Sequence, residues 1–134
     1  MSTPFSPPNH PTFHPSYSHI SSTPLHPTSK LITIAGQIGR DSTTNTTPSE
    51  FLEQVEIALK NVKTCLDAAG AKKTDIVMVR QYIVRIEEHD YKGRVERYMT
   101  WMGDHTPPST LIGVAGLATK EMLYEIEVMA VVSG

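Results

Sequence analysis

The sequence predicts an α+β domain: a mixed β-sheet with two helices packed on one of its faces. Three observations carry that expectation. An apolar stripe with helical period runs over residues 47–70, with start and stop signals at its ends. A second amphipathic segment follows at 90–102. Short segments rich in Val and Ile flank both, bounded by glycine or proline. Helices interleaved with strands bury their stripes most simply against one common sheet. At 134 residues the chain fits a single domain.

The elements follow in order. Residues 1–28 hold seven of the ten prolines and four of the six histidines, His10, His14, His19 and His26. Proline at that density blocks helix and central strand alike. Residues 1–15 are therefore expected to form an extended or disordered arm, dispensable for folding. The domain proper is assigned to 16–134. The histidine spacing matches no common ligand pattern, so no metal is assigned. Residues 31–35 read as a strand ended by Gly36, and a further short strand is expected near 17–20. Residues 39–47 are a polar loop.

Thr47 as cap, Pro48 at the first helical position and Glu50 closing a capping box start the first helix. Phe51, Val55, Ala58, Val62, Leu66 and Ala69 form its stripe, and Gly70 ends it as a left-handed cap. Cys65 lies beside the stripe and reads as a packed thiol. Residues 76–86 form a strand with both faces covered. A second helix spans 90–102 with Tyr91, Val95, Tyr98 and Met102 on one face. Gly103, Pro107 and Pro108 stop it. Strands follow at 110–114 and 122–132. In the last, Glu125 and Glu127 share one face while Tyr124, Ile126 and Val128 share the other. The expected order is β-β-α-β-α-β-β, plus the short strand near 17–20. One sheet face stays apolar and uncovered, which predicts oligomerisation.

Composition narrows the function. Apolar residues are 39% and charged residues 19%, with a formal charge of −2. No basic excess exists to neutralise a phosphate backbone, so no nucleic-acid partner is expected. No apolar run approaches the roughly 20 residues that span a bilayer, so no membrane partner is expected either. No basic stretch leads into an apolar one at the N-terminus, as a signal peptide would require. Cys65 is the only cysteine, which fits a reducing compartment and a cytoplasmic location. No phosphate loop, zinc spacing or nucleophile elbow occurs, and no cofactor is expected.

Two features remain. Glu125 and Glu127 interrupt an apolar strand, where a carboxylate is costly unless exposed, paired or useful. Exposure or pairing with Arg80 or Arg85 is the structural explanation for either one. Gly36-Gln37-Ile38-Gly39 places an amide between two flexible positions directly after a strand. That is a turn, or a place where backbone approaches a ligand closely.

Five segments then resemble one family in order and in register. They are Tyr17-Ser18-His19; Ile34-Ala35-Gly36-Gln37-Ile38; Ala58-Leu59-Lys60-Asn61-Val62-Lys63 with Leu66-Asp67-Ala68-Ala69-Gly70-Ala71; Thr106-Pro107-Pro108-Ser109-Thr110-Leu111-Ile112-Gly113-Val114; and Tyr124-Glu125-Ile126-Glu127-Val128-Met129-Ala130-Val131. Together they resemble the Rid/YjgF proteins, the reactive-intermediate (imine and enamine) deaminases, over residues 16–132. The resemblance implies a chorismate-mutase-like fold. It also implies a homotrimer whose three sheets form a central barrel, with ligand pockets between subunits.

In the deaminating members an arginine, second after a proline, clamps the substrate carboxylate, and a glutamate on the last strand positions the attacking water. Carried over, the glutamate is Glu125 and the N-terminal tyrosine is Tyr17. The arginine position is Ser109, the serine before the Gly-Gln pair is Ala35, and the residue two past the clamp is Leu111. The implied substrate-binding set is Tyr17, Ala35, Gly36, Gln37, Ser109, Thr110 and Leu111, with Arg40 as the nearest stand-in for the lost clamp. A serine supplies neither the full charge nor the two parallel donors of an arginine. The expected activity is therefore on a reactive imine- or enamine-type or related metabolite, such as one with a lactam-like group, hydrolytic and of secondary metabolism, and not standard 2-imino acid deamination. The alternatives are a non-catalytic small-molecule-binding or regulatory trimer, and a chaperone-like or RNA-cleaving role.

Overall fold

The computed structural model describes residues 2–133. Six strands form one mixed sheet: β1 (Thr3–Phe5), β2 (Ile20–His26), β3 (Ser29–Ile38), β4 (Ile76–Val84), β5 (Ser109–Val114) and β6 (Tyr124–Ser133). Their spatial order is β1-β2-β3-β6-β4-β5. Only β4 and β5 run parallel, joined by the crossover that contains the second helix. Two helices, α1 (Phe51–Ala68) and α2 (Tyr91–Met102), complete the fold. The α1 helix lies on β3 and β6, and α2 packs beside it. This is the α+β layering the sequence predicts.

The ends of α1 differ in how well they were foreseen. Phe51, Val55, Ala58, Val62 and Leu66 are buried as the period requires. At the C-terminus Gly70 has φ +72°, Gly70 N–H reaches Asp67 O and Ala71 N–H reaches Leu66 O. That is the paired closure of a Schellman motif, and it explains the glycine. At the N-terminus the expected capping box is absent. Glu50 is the cap residue and its side chain makes no capping bond. The Pro48 carbonyl accepts from the Gln54 side chain at 2.8 Å, while Gln54 N–H bonds Glu50 O. Thr47 and Pro48 are therefore held outside the helix by a long polar side chain.

Other boundaries also move. β4 ends at Val84 because Arg85 takes a left-handed conformation, φ 50°. Its outward residues Val77 and Met78 are 45% and 38% exposed, so only one face of β4 is covered in the single chain. In α2, Asp90 caps the helix by accepting from Gly93 N–H at 2.8 Å. Tyr91, expected inward, is 63% exposed, and Arg94 is buried instead. The arm also departs from expectation. Thr3–Phe5 pairs antiparallel with residues 20–22, Phe5 packs on the core, and His10 is buried. Pro4 lies on the edge strand β1, where a missing N–H costs no ladder bond.

β3 does not end at Gly36. It continues to Ile38, with a register shift between Ile34 and Gln37 against β6. Ala35 and Gly36 together oppose the single Glu127, a β-bulge. Without the extra residue, Ile34 and Gln37 would face opposite sides. With it, both are buried on the helix side. Leu31, Thr33 and Ala35 of β3, Arg80 and Tyr82 of β4, and Glu125, Glu127, Met129 and Val131 of β6 share the other face. Among the described residues, neither helix covers that face.

Candidate functional site

The bulge builds the site. It turns Gln37 inward, 1% exposed, to the N-terminal segment. Gln37 Nε2 donates to Ala35 O at 3.0 Å and to His19 Nδ1 at 2.9 Å, and Gln37 Oε1 accepts from His10 Nε2 at 2.6 Å. The His10 and His19 rings stack, 4.0 Å between centroids and 8° from parallel. Because His19 Nδ1 accepts, its proton sits on Nε2, which is buried with no hydrogen-bond partner. Burial first, and the neighbouring His10 second, push the His19 pKa down to about 4. His10 Nδ1 bonds Ser42. Asn61, from α1, donates to Ile38 O at 3.0 Å and Arg40 O at 2.9 Å, which fixes the loop beyond the strand.

These groups line a cavity of about 50 Å³ with Phe13, Tyr17, Gly36 and Arg40. It has room for a few waters at most. The Arg40 guanidinium lies 5.9 Å from the centre of the Phe13 ring. Cys65 lies beneath the histidines, and one ligand-type atom of each of the three falls within 4.8 Å of the others. Both nitrogens of His10 are already hydrogen-bonded, and parallel rings do not converge their lone pairs on one point. Burial pushes the Cys65 thiol up to about 12, as fits the packed thiol expected. The cluster reads as a bonded lining.

Glu125 and Glu127 share a face, as the alternation requires, but their surroundings differ. Glu127 accepts from Tyr82 Oη and lies 3.8 Å from Arg80 Nε. The structural explanation thus holds for Glu127, and Arg80 is its partner. Glu125 makes no side-chain hydrogen bond or ion pair among the described residues. Its carboxylate rests on the bare backbone of Gly36. A Cβ there would come within 2.6 Å of Glu125 Cδ. Burial, then the Glu127 charge, raises the Glu125 pKa above the usual carboxylate range. Burial, then the charge of Glu125, raises that of Tyr17. A half-buried carboxyl with no fixed partner can bind a polar molecule and exchange a proton with it.

One chain therefore brings together Tyr17, Gly36, Gln37, Arg40 and Glu125. Ala35 borders an adjoining recess with His19, Thr33 and Glu127. Ser109, Thr110 and Leu111 lie on β5, separated from Glu125 by β4. Leu111 packs toward the core, and Ser109 Oγ accepts from Gln81 Nε2 at 3.2 Å. Sequence reasoning missed the inward roles of His10 and Arg94. The proline-rich setting of one and the charge of the other both read as surface.

A sheet of this order with two helices on one face, and a polar cleft at a bulge beside the last strand, defines an α+β protein of the Rid/YjgF kind. The comparisons agree. The family described as Endoribonuclease L-PSP matches residues 9–132, and the chain belongs to it. A RutC family protein of Aquifex aeolicus is 36% identical over 100 residues, 73% of this chain and 78% of that one. Yeast Mmf1 has the same fold, with TM-score 0.85 at 23% identity over the whole of both chains. Escherichia coli TdcF with bound serine superposes with TM-score 0.78 at 26% identity, covering 93% of this chain and 94% of that one. Among the described residues, no helix is long and apolar enough to cross a membrane.

Proposed function

We propose that this protein binds a small reactive metabolite, of imine or enamine type, in clefts between the subunits of a homotrimer and hydrolyses it with Glu125. The carrying observation is the unpaired Glu125 carboxylate on Gly36, beside Tyr17 and Arg40. Water adds to the C=N carbon while the carboxylate takes its proton. The carboxyl returns that proton to nitrogen to give the carbinolamine, then takes the hydroxyl proton and passes it to the amine as the C–N bond breaks, which gives a carbonyl compound and ammonia. A carboxyl with a raised pKa suits both directions of that transfer. The uncovered sheet face supports the trimer, since it carries Leu31, Met129 and Val131 beside its polar residues with neither helix of the chain packed on them. The neighbour with bound serine supports a small-molecule ligand for this fold. The formal charge of −2 leaves no basic track for RNA.

Ser109 directs the substrate away from simple 2-imino acids, because a serine itself supplies neither the charge nor the two parallel donors that clamp a carboxylate beside the imine. It also favours a second reading, a non-catalytic binding or regulatory trimer. The test is ammonia release from a panel of imines and enamines. The expected result is a signal that Glu125→Ala abolishes, and little turnover of 2-aminoacrylate beside a relative that carries the arginine. Thermal shifts without turnover on any substrate would establish the binder. Sedimentation at micromolar concentration checks the trimer, and a stable monomer would refute it.

A further inference from the structure

Arg94 is 4% exposed, yet no carboxylate among the described residues lies within ion-pair distance of it. Its hydrogen bond runs from Nη1 to Gln81 Oε1 at 2.9 Å, and its guanidinium lies 5.0 Å from the centre of the Tyr91 ring. Gln81 Oε1 also accepts from Tyr124 Oη at 2.7 Å, so both its lone pairs are used. Arg94 Nε is buried with no partner. Tyr98, one turn further along α2, lies beside Ser109, whose hydroxyl bonds to it, and its own buried O–H proton has no acceptor. Ser109 Oγ accepts from Gln81 Nε2 and turns its own proton to Tyr98 Oη.

The Arg94 Nε–H, the Tyr98 O–H and one full positive charge therefore lack an acceptor where α2 meets β5. A buried guanidinium without a counter-ion is among the costliest arrangements in a protein. An unpartnered N–H and O–H add to the cost. A single anion relieves all of it. Ser109 is exposed on β5, the outermost strand of the sheet, and so stands at an open edge.

We propose that Arg94, Tyr98 and Ser109 form a binding site for a carboxylate, which enters beside Ser109 and pairs with the recessed guanidinium. A carboxylate fits because its two oxygens match the fork of donors on arginine. Its source is a free small molecule or an acidic side chain of a second copy of this chain. The site lies on the helix side of the sheet, away from Glu125, and does not depend on Glu125 being catalytic.

The experiment is calorimetry and thermal unfolding with sodium propionate against sodium chloride at equal ionic strength, on the wild type and on Arg94→Met. Met keeps the length of the side chain and removes the charge. For a free ligand, propionate binds saturably and raises the melting temperature. Arg94→Met weakens that binding at least about tenfold, the loss of a charge-assisted pair. For a side chain of a second copy, propionate has no effect, and Arg94→Met shifts the assembly toward smaller species in sedimentation. In either case Arg94→Lys recovers only part of the effect, because an ammonium cannot form the two parallel bonds. If propionate does not bind and Arg94→Met leaves the assembly unchanged, the proposal is overturned, whatever the melting temperature of the variant.

Discussion

Gly36→Ala isolates the contact on which the site depends. Gly36 lies in the β-bulge and does not have a positive φ, so an alanine adds no backbone strain there. The methyl acts only through what it touches, and it touches Glu125. The added Cβ falls 2.6 Å from Glu125 Cδ and 2.8 Å from Cγ. Carbon atoms rest at about 3.5 Å or more, so the carboxyl must retreat by about 1 Å. Glu125 borders solvent and can swing outward, which limits the stability cost to about 1 kcal/mol, the low end for an overpacked site. The chemical cost is larger, since a 1 Å misplacement of a catalytic group lowers turnover by about 10²-fold.

A readout exists that needs no substrate. Burial is the first cause of the raised Glu125 pKa, so moving the carboxyl toward water must lower it toward the ordinary value. The assay is side-chain carboxyl titration by NMR in the wild type and Gly36→Ala, with the melting temperature measured on both. An unchanged titration would mean that the carboxylate does not rest on Gly36, and the reasoning for the site would fail with it. A collapse of the melting temperature would show that the glycine serves the fold and not the position of Glu125.

Three further outcomes follow. Glu125→Gln should cut turnover by about 10²-fold while raising stability at neutral pH, because a carboxyl with a raised folded pKa resists ionising in place. Its stability gain should vanish below the unfolded pKa of about 4.3 and open as pH rises through the folded value. Glu127→Gln should lower the melting temperature, since it weakens the contacts to Tyr82 and Arg80; equal behaviour of the two variants would refute the division of roles. His19 is lowered to about 4, so its contribution is complete above its unfolded pKa of about 6.5 and is lost as pH falls through 4. That is on the order of 2–3 kcal/mol, and His19→Gln should flatten the urea-measured stability profile between those limits. Deleting residues 2–15 removes the β1 pairing, the packing of Phe5 and the ring stacked on His19. The melting temperature should fall by roughly 5 °C or more, about 1–2 kcal/mol of lost burial, and an unchanged value would make the arm dispensable after all.

The local elements were legible in the order of residues. The stripe from Phe51 to Leu66, the left-handed cap at Gly70 and the alternation of Glu125 and Glu127 across β6 follow from periods of 3.6 and 2, which a chain carries in its own order of residues. The motif order determined the family, and with it the role assigned to Glu125. Tertiary structure decided what each polar group meets. Two glutamates with the same alternation became unlike because Tyr82 and Arg80 stand opposite one and Gly36 opposite the other. The proline-rich arm became part of the fold because its partners, His19 and Gln37, are distant in sequence and are turned toward it by a bulge. Arg94 reads as a surface residue by its charge, and only the fold shows it buried against Gln81. Burial, pairing and pKa are properties of neighbours across the sheet, and no local period encodes them.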